Sequence, residues 1–376
     1  MTRTSYASFI IIFTGLFVSF LKLSPVNPNL VFVAYLPIVL FTLIKPTITL
    51  KEISIYTIII ICVLKIMSGL SFLVIEALKQ AFFMIIAISI LNKISFESMI
   101  SEAKLILFFS SVLAFIGIFQ FFGLEPFIDF KPLPNTDFTA SGGFAGIRLV
   151  RPNFALGNSI NAGTFFVLNF FILISIWNNL SLLVKTVLPT LFLVCIVFTL
   201  SRSAFLGILL ILPFCIQKIG FTKIIIPILG MLWLGYDWLI LLSLRFFDKS
   251  YTIGSNNDRA DFMQNFYENF QVTGILFGDL GYSGSKITDG WIFYNFLGVG
   301  VIFTLVFIYC MIVPAKLKII NVLQYFSLLL FLILILIVNN SIHAFYNIWL
   351  LIFSFRLSQC TKQNQYFSQS SMEKNF

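Results

Sequence analysis

The sequence predicts an all-α integral membrane protein with roughly 12 transmembrane helices of about 20 residues each, forming a single polytopic domain over residues 1–376. Two observations predict this fold class. Hydrophobic residues make up 59% of the chain and charged residues only 10%, with a mean hydropathy of +1.01. Apolar runs also recur along the whole chain, separated by polar segments. A soluble domain of this length would need far more polar surface than this composition provides.

The apolar runs define the expected helices in three groups. The first five runs lie near 5–22, 30–44, 53–70, 72–91 and 104–122. The next four lie near 156–176, 180–200, 203–217 and 223–243, and the last three near 289–313, 320–339 and 343–357. The first run has no small-residue cleavage site, so we expect it to be retained as a helix rather than removed as a signal peptide.

Lysines fall at alternate polar segments, and this pattern predicts the orientation. A cytoplasmic N-terminus places 45–52, 92–103, 217–222, 314–319 and the tail from Arg356 in the cytoplasm. In or beside these segments lie Lys45, Lys51, Lys93, Lys104, Lys218, Lys223, Lys316 and Lys318. Because basic residues concentrate in cytoplasmic loops, we expect both termini to be cytoplasmic.

With this orientation the two longest hydrophilic loops, 123–155 and 244–288, lie on the outer face. The first contains Pro126, Pro132, Pro134 and the Gly-rich stretch 141–146, which predicts irregular backbone that leads into a helix. In the second, Phe262, Phe266 and Phe270 recur every four residues behind a polar stretch suited to a helix N-cap. We therefore expect an amphipathic helix at the outer membrane surface, with Arg259 in its first turn.

Arginines follow the opposite distribution to lysines. Five of the seven arginines are predicted on the outer side: Arg148, Arg151, Arg202, Arg245 and Arg259. The planar guanidinium group holds phosphate oxygens through two parallel hydrogen bonds. The cluster therefore predicts an anionic ligand, of the diphosphate type, at the outer face.

Each of these arginines also has a structural explanation. Arg148 and Arg151 could anchor the first loop at the membrane surface, while Arg245 and Arg259 could pair with nearby aspartates. Arg202, in the turn Ser201-Arg202-Ser203 between two apolar runs, could cap the carbonyl groups of the preceding helix. A charge at this depth is nevertheless a functional signal by default, which makes Arg202 the strongest candidate.

Three residues are candidates for proton transfer. His343 is the only histidine; it begins the last predicted span on the outer side, where it could act as a general base or cap a helix. Asp289 begins the tenth span, and Asp258 adjoins Arg259. The residue pattern alone does not choose between them.

Other chemistries lack a signal in this sequence. There is no phosphate-binding loop with its lysine, no dinucleotide-binding glycine motif and no metal-binding His or Asp motif. The five cysteines form no CxxC pair. We expect no metal and no cofactor. Because the basic residues are dispersed between apolar runs, we expect no nucleic-acid partner either.

Several features together resemble the O-antigen polymerase and ligase superfamily of bacterial envelope glycan enzymes. These are the number of spans, the two Arg-bearing outer loops and the stretch 199–204, which is similar to the superfamily's Ser-Arg hairpin motif. The run from Asn257 through Gly278-Asp279-Leu280-Gly281 and Asp289 to Gly300 is similar to its Arg-bearing helix, glycine turn and Gly-rich membrane helix. Ligases of the superfamily place a histidine before that membrane helix, where this chain has Ile287-Thr288-Asp289, so the resemblance favours a polymerase.

The resemblance implies glycosyl transfer between undecaprenyl-diphosphate-linked oligosaccharide repeat units at the periplasmic face of the bacterial inner membrane. Arg148, Arg151, Arg202, Arg245 and Arg259 would bind the diphosphate, and Arg202, Asp289 and His343 are the catalytic candidates. The implied partners are the bilayer, a flippase and a membrane protein that regulates chain length. The alternatives are an O-antigen ligase and a lipid-linked oligosaccharide flippase. A flippase should carry basic residues along a central cavity, and an inert scaffold would need no arginine cluster.

Overall fold

The computed structural model describes residues 72–91, 96–122, 159–199, 201–221, 291–298, 300–312, 322–338 and 345–360, with isolated positions between these segments. This described part contains α-helices and a single 3₁₀ turn, Trp177–Asn179, and no strand. The predicted all-α class is therefore confirmed for these residues. The total of roughly 12 spans remains a prediction.

Nine α-helices are described. In chain order they are α1 (Phe72–Leu91), α2 (Phe96–Phe121), α3 (Ser159–Ser175), α4 (Leu182–Phe198), α5 (Arg202–Ile219), α6 (Trp291–Gly298), α7 (Val301–Ile312), α8 (Val322–Val338) and α9 (Phe345–Cys360). Helices α2, α4 and α8 end, and α3, α5 and α9 begin, at the same end of the bundle. We call it the outer end, following the orientation predicted from the lysines. The opposite end is the inner end.

Two of these helices contain segments long and apolar enough to cross a membrane. They are Ser98–Phe121, with a mean hydropathy of 2.0, and Arg202–Ile219, with a mean hydropathy of 1.6. Most of the other described helices are apolar but shorter.

Two predicted spans differ from the helices that form. Helix α2 begins at Phe96, ahead of the expected start at 104, because the polar stretch before 104 contains no glycine or proline to end the helix. The span expected over 289–313 is two helices, α6 and α7. Between them Gly300 has φ = +93°, and a β-carbon there would lie 2.3 Å from the carbonyl oxygen of Leu276. This contact requires glycine and a break in the helix.

The expected spans 5–22, 30–44 and 223–243 lie outside the described residues, as does nearly all of both long loops, 123–155 and 244–288. Of the predicted amphipathic helix, the structure describes Asp261 and Gln264, and both are helical.

Helix α3 forms the axis of the described bundle. Fifteen of its 17 residues are buried, and it contacts α2, α4, α5 and α9. Its phenylalanines fill the space between these neighbours: the ring of Phe166 meets Phe192 of α4 at 5.8 Å, and Phe171 meets Phe214 of α5 at 5.2 Å. Helix α9 packs on α3 and α1, and α8 packs on α5.

Buried polar side chains connect α3 to its neighbours. The hydroxyl of Ser110 on α2 donates to Oδ1 of Asn169 at 2.7 Å, and the Asn169 amide donates to the carbonyl of Phe165 at 2.9 Å. At the inner end, the side-chain amide of Gln324 on α8 donates to the hydroxyl of Ser175 at 2.8 Å. Polar groups in an apolar bundle need such partners, so these pairs fix the rotation of each helix about its axis.

We expect Ser110→Ala to lower the free energy of unfolding by about 1 kcal/mol, because it leaves Oδ1 of the buried Asn169 without its donor from α2. The double variant Ser110→Ala/Asn169→Leu should recover most of this loss, since both polar groups are then removed. Thermal unfolding of the purified protein in detergent measures both effects.

Ser111→Ala is the matched control for this experiment. The Ser111 hydroxyl donates to the carbonyl of Phe108 in its own helix at 2.6 Å, so its removal should leave interhelical packing unchanged. Equal destabilisation by Ser110→Ala and Ser111→Ala would show that the contact with Asn169 contributes nothing.

Candidate functional site

The turn between α4 and α5 places Arg202 at the first position of a helix. Helix α4 ends at Phe198, and Thr199 still has helical angles (φ −64°, ψ −20°). Ser201 is extended (φ −90°, ψ 115°), which reverses the chain, and its side chain accepts a hydrogen bond from the Ala204 amide at 3.4 Å. Ser201 is therefore the N-cap of α5, and Arg202 follows it directly.

Three hydroxyl groups stabilise this turn. Thr199, Ser201 and Ser203 are only 0%, 4% and 5% exposed. The Thr199 hydroxyl donates to the carbonyl of Ile196 at 2.6 Å and accepts from the Ser201 amide at 3.4 Å. The hydroxyl oxygens of Ser201 and Ser203 lie 3.1 Å apart. These contacts fix the backbone that carries Arg202, which is itself partly exposed.

Helix α3 passes directly against the turn at Gly163. A β-carbon at Gly163 would lie 2.7 Å from the β-carbon of Ala204 and 3.2 Å from both the β-carbon of Ser201 and the hydroxyl oxygen of Thr199. Only glycine lets the α3 backbone come this close to the side chains at the start of α5. Gly163 therefore determines how close the start of α5 comes to the centre of the bundle.

The start of α9 is attached to the start of α3 at the same end. The Tyr346 hydroxyl donates to the carbonyl of Leu156, and the side-chain amide of Asn347 donates to the carbonyl of Asn161 at 3.3 Å. The Tyr346 ring meets the edge of Phe165 at 5.7 Å. Asn347 is buried, so an amide side chain lies inside the outer end.

Phe154 connects the end of the first predicted outer loop to α2. Its φ of +55° is unusual for a residue other than glycine. Its amide donates to the side-chain oxygen of Gln120 at 2.9 Å. Its buried ring packs against Gly117 of α2 and occupies the position that a β-carbon on that glycine would take. The ring also meets Phe166 of α3 at 4.8 Å. This anchoring holds the backbone that enters α3.

We call these residues the outer-end cluster: Gln120, Phe154, Asn161, Gly163, Thr199, Ser201, Arg202, Ser203, Tyr346 and Asn347. Among the sequence-predicted site residues, the structure describes Arg202 and places it in this cluster. Arg148, Arg151, Arg245, Arg259, Asp289 and His343 lie outside the described residues.

Sequence reasoning missed most of the cluster's supporting residues. Gly163 and Gly117 carried a usable signal, because small residues in apolar helices mark close helix contacts. Gln120 and Asn347 are polar residues within apolar runs and could have been recognised in the same way. Phe154 carried no such signal, because its left-handed backbone depends on contacts with α2.

The cluster presents a cation at a helix N-terminus. The N-terminal end of a helix carries a partial positive charge. Arg202 adds a like charge there, and the repulsion between the two costs about 0.3–1 kcal/mol. An anion bound at this point would relieve that opposition and interact with both positive groups. The low polarity of the surrounding helices strengthens such an interaction.

Within the described segments, no group of three His, Cys, Asp or Glu side chains could hold a metal ion.

Comparison with known proteins gives no match: no protein-family model, no curated protein and no solved structure is significantly similar to this chain.

We expect Gly163→Ala to lower the free energy of unfolding by about 1–3 kcal/mol, because the added methyl group overlaps Ala204 in a tightly packed contact. The double variant Gly163→Ala/Ala204→Gly moves one methyl group across the interface and keeps the number of helical glycines constant. We expect it to regain most of the lost stability in thermal unfolding measurements. If Gly163→Ala unfolds at the wild-type temperature, the close approach of α3 to α5 is wrong.

Proposed function

We propose that this chain is an integral membrane glycosyltransferase of the O-antigen polymerase type, which joins undecaprenyl-diphosphate-linked oligosaccharide repeat units at the periplasmic face of the inner membrane. The observation that carries the proposal is the position of Arg202. It begins α5, directly after a serine N-cap and beside buried hydroxyl groups that fix its backbone. Such a cation suits a diphosphate group.

The membrane location rests on composition and on the surface of the helices. Two helices are long and apolar enough to cross a membrane. Large apolar side chains such as Phe115 on α2, Leu209 on α5 and Leu305 on α7 are exposed on the outside of the bundle. In water these residues would form an unfavourable surface, whereas lipid chains solvate them well. Both termini lie in the cytoplasm in this arrangement.

The reaction we propose is displacement at an anomeric carbon. A hydroxyl group of the incoming lipid-linked repeat unit attacks the anomeric carbon of the sugar that links the growing chain to its lipid diphosphate. The new glycosidic bond forms as the bond from that carbon to the diphosphate oxygen breaks. The lipid diphosphate leaves with the bonding electron pair, and the hydroxyl proton passes to a base. Asp289, Asp258 and His343 are the candidates for that base.

Arg202 stabilises the negative charge that develops on the departing diphosphate. The guanidinium group needs no metal to do this, and its backbone is already fixed before substrate binds. The remaining barrier is lowered by holding donor and acceptor side by side. Arg148, Arg151, Arg245 and Arg259 complete the proposed diphosphate site. A flippase that supplies the repeat units and a chain-length regulator are the proposed partners.

We expect Arg202→Ala to reduce polymerisation by roughly 100-fold or more, the usual loss when a fixed group that stabilises transition-state charge is removed. Arg202→Lys should give an intermediate result, because the charge remains and the two-pronged hydrogen bonding is lost. The measurement is the lipopolysaccharide ladder on a gel, in a deletion strain complemented with each variant at equal membrane expression.

Lys218→Ala is the control for this test, since Lys218 lies in the last turn of the same helix at the inner end. We expect it to give the wild-type ladder. A deletion strain that retains core plus one repeat unit supports the polymerase. Loss of the one-unit band as well would indicate a ligase or a flippase instead, and an unchanged ladder in the deletion strain would refute the proposal.

A further inference from the structure

A groove of about 350 Å³ lies between α2 and α4 toward the inner end, remote from the outer-end cluster. Its polar residues lie at one end. Lys104 comes from the first third of α2, while Asn179 and Ser181 immediately precede α4. All three are exposed. Among the described lining residues there is no carboxylate, so the groove has a net positive charge.

The remainder of the groove is apolar. Leu107 and Phe108 of α2 face Val184 and Val187 of α4 as the two helices run toward the centre of the bundle. The one deeper hydroxyl, on Ser111, donates to the carbonyl of Phe108 and is thereby satisfied. Over the seven residues from Lys104 to Ser111 a helix rises about 10 Å, so a ligand would have a charged head and an apolar body on that scale.

The apolar wall of the groove continues onto the outside of the bundle. Phe108 is 61% exposed, and it is followed on the same face of α2 by Val112, Phe115 and Phe119, which are also exposed. Leu182 and Leu183 at the start of α4 are 79% and 71% exposed. A molecule in the groove could therefore extend along this surface into the lipid chains of the bilayer.

We propose that this groove binds an anionic phospholipid of the cytoplasmic leaflet, with the phosphate beside Lys104, Asn179 and Ser181 and an acyl chain along Leu107, Phe108 and Val187. Charge complementarity carries this assignment, because the only charged side chain among the described lining residues is a lysine at the polar end. Ser181 is the exposed N-cap residue of α4, and its hydroxyl group can donate to a phosphate oxygen.

A phospholipid fits this groove better than a soluble phosphate compound. A soluble anion would use the polar end alone and would leave the apolar wall without a partner. A zwitterionic lipid would present its own cation next to Lys104. The groove therefore favours one lipid class, and it does so independently of the glycosyl-transfer reaction proposed for the opposite end.

The test is a lipid titration of the full-length protein in detergent, followed by native mass spectrometry. The probes are phosphatidylglycerol and phosphatidylethanolamine with identical acyl chains. We expect phosphatidylglycerol to bind more tightly, and Lys104→Gln to weaken its binding about fivefold, since one lysine contributes about 1 kcal/mol to the attraction of anionic lipid. Lys104→Arg should bind as the wild type does.

Two further variants separate the charged and apolar contributions. Lys218→Gln removes a lysine from α5 at the same end of the bundle but outside the groove, and it should leave the affinity unchanged. Val187→Trp fills the apolar part at an exposed position, so it should weaken both lipids while the protein stays folded. Equal weakening by Lys104→Gln and Lys218→Gln, equal affinity for the two lipids, or complete displacement of lipid by millimolar inorganic phosphate would each overturn the proposal.

Discussion

The described structure depends on the burial of helix α3 among four neighbouring helices. An almost fully buried helix offers its polar side chains no water, so each must find a partner on its own or an adjacent helix. Asn169 and Ser175 do so through Ser110 and Gln324, and the lack of a side chain at Gly163 leaves room on α3 for the side chains at the start of α5. Hydrogen bonds set the rotation of the helices, and glycine sets their separation.

The same constraint explains the form of the turn at Arg202. Because α3 lies directly beneath it at Gly163, the turn is excluded from solvent on that side, and the groups of Thr199, Ser201 and Ser203 must be satisfied locally. Their hydrogen bonds to one another and to the Ile196 carbonyl meet this need within about eight residues of chain. A turn satisfied by its own side chains is rigid, and the role proposed for Arg202 requires such rigidity, since a mobile arginine would have to reorganise during the proposed reaction.

Hydropathy predicted most of the described helices, because a long apolar run has few alternatives to a helix. The runs at 72–91, 180–200 and 203–217 match α1, α4 and α5 within about three residues, and the Ser-Arg turn was recognised between the last two. What the sequence did not reveal depends on contacts between distant segments. The break at Gly300 exists because the Leu276 carbonyl lies against it, and the positive φ of Phe154 exists because Gln120 binds its amide. Hydropathy averaged along the chain cannot report such contacts.

Lys104 and Arg202 lie at opposite ends of the bundle, and each residue type suits its position for a physical reason. Lysine is a compact, strongly hydrated charge on a flexible stem, which suits the inner end, where Lys104 lies beside an open groove at the expected lipid surface. Arginine is planar and weakly hydrated, so it can remain charged where neighbouring hydroxyls are buried, as around Arg202. Exchange of the two residue types would therefore preserve net charge and the predicted orientation but not the chemistry of either end. Arg202 and Lys104 therefore differ in chemistry although they carry the same charge.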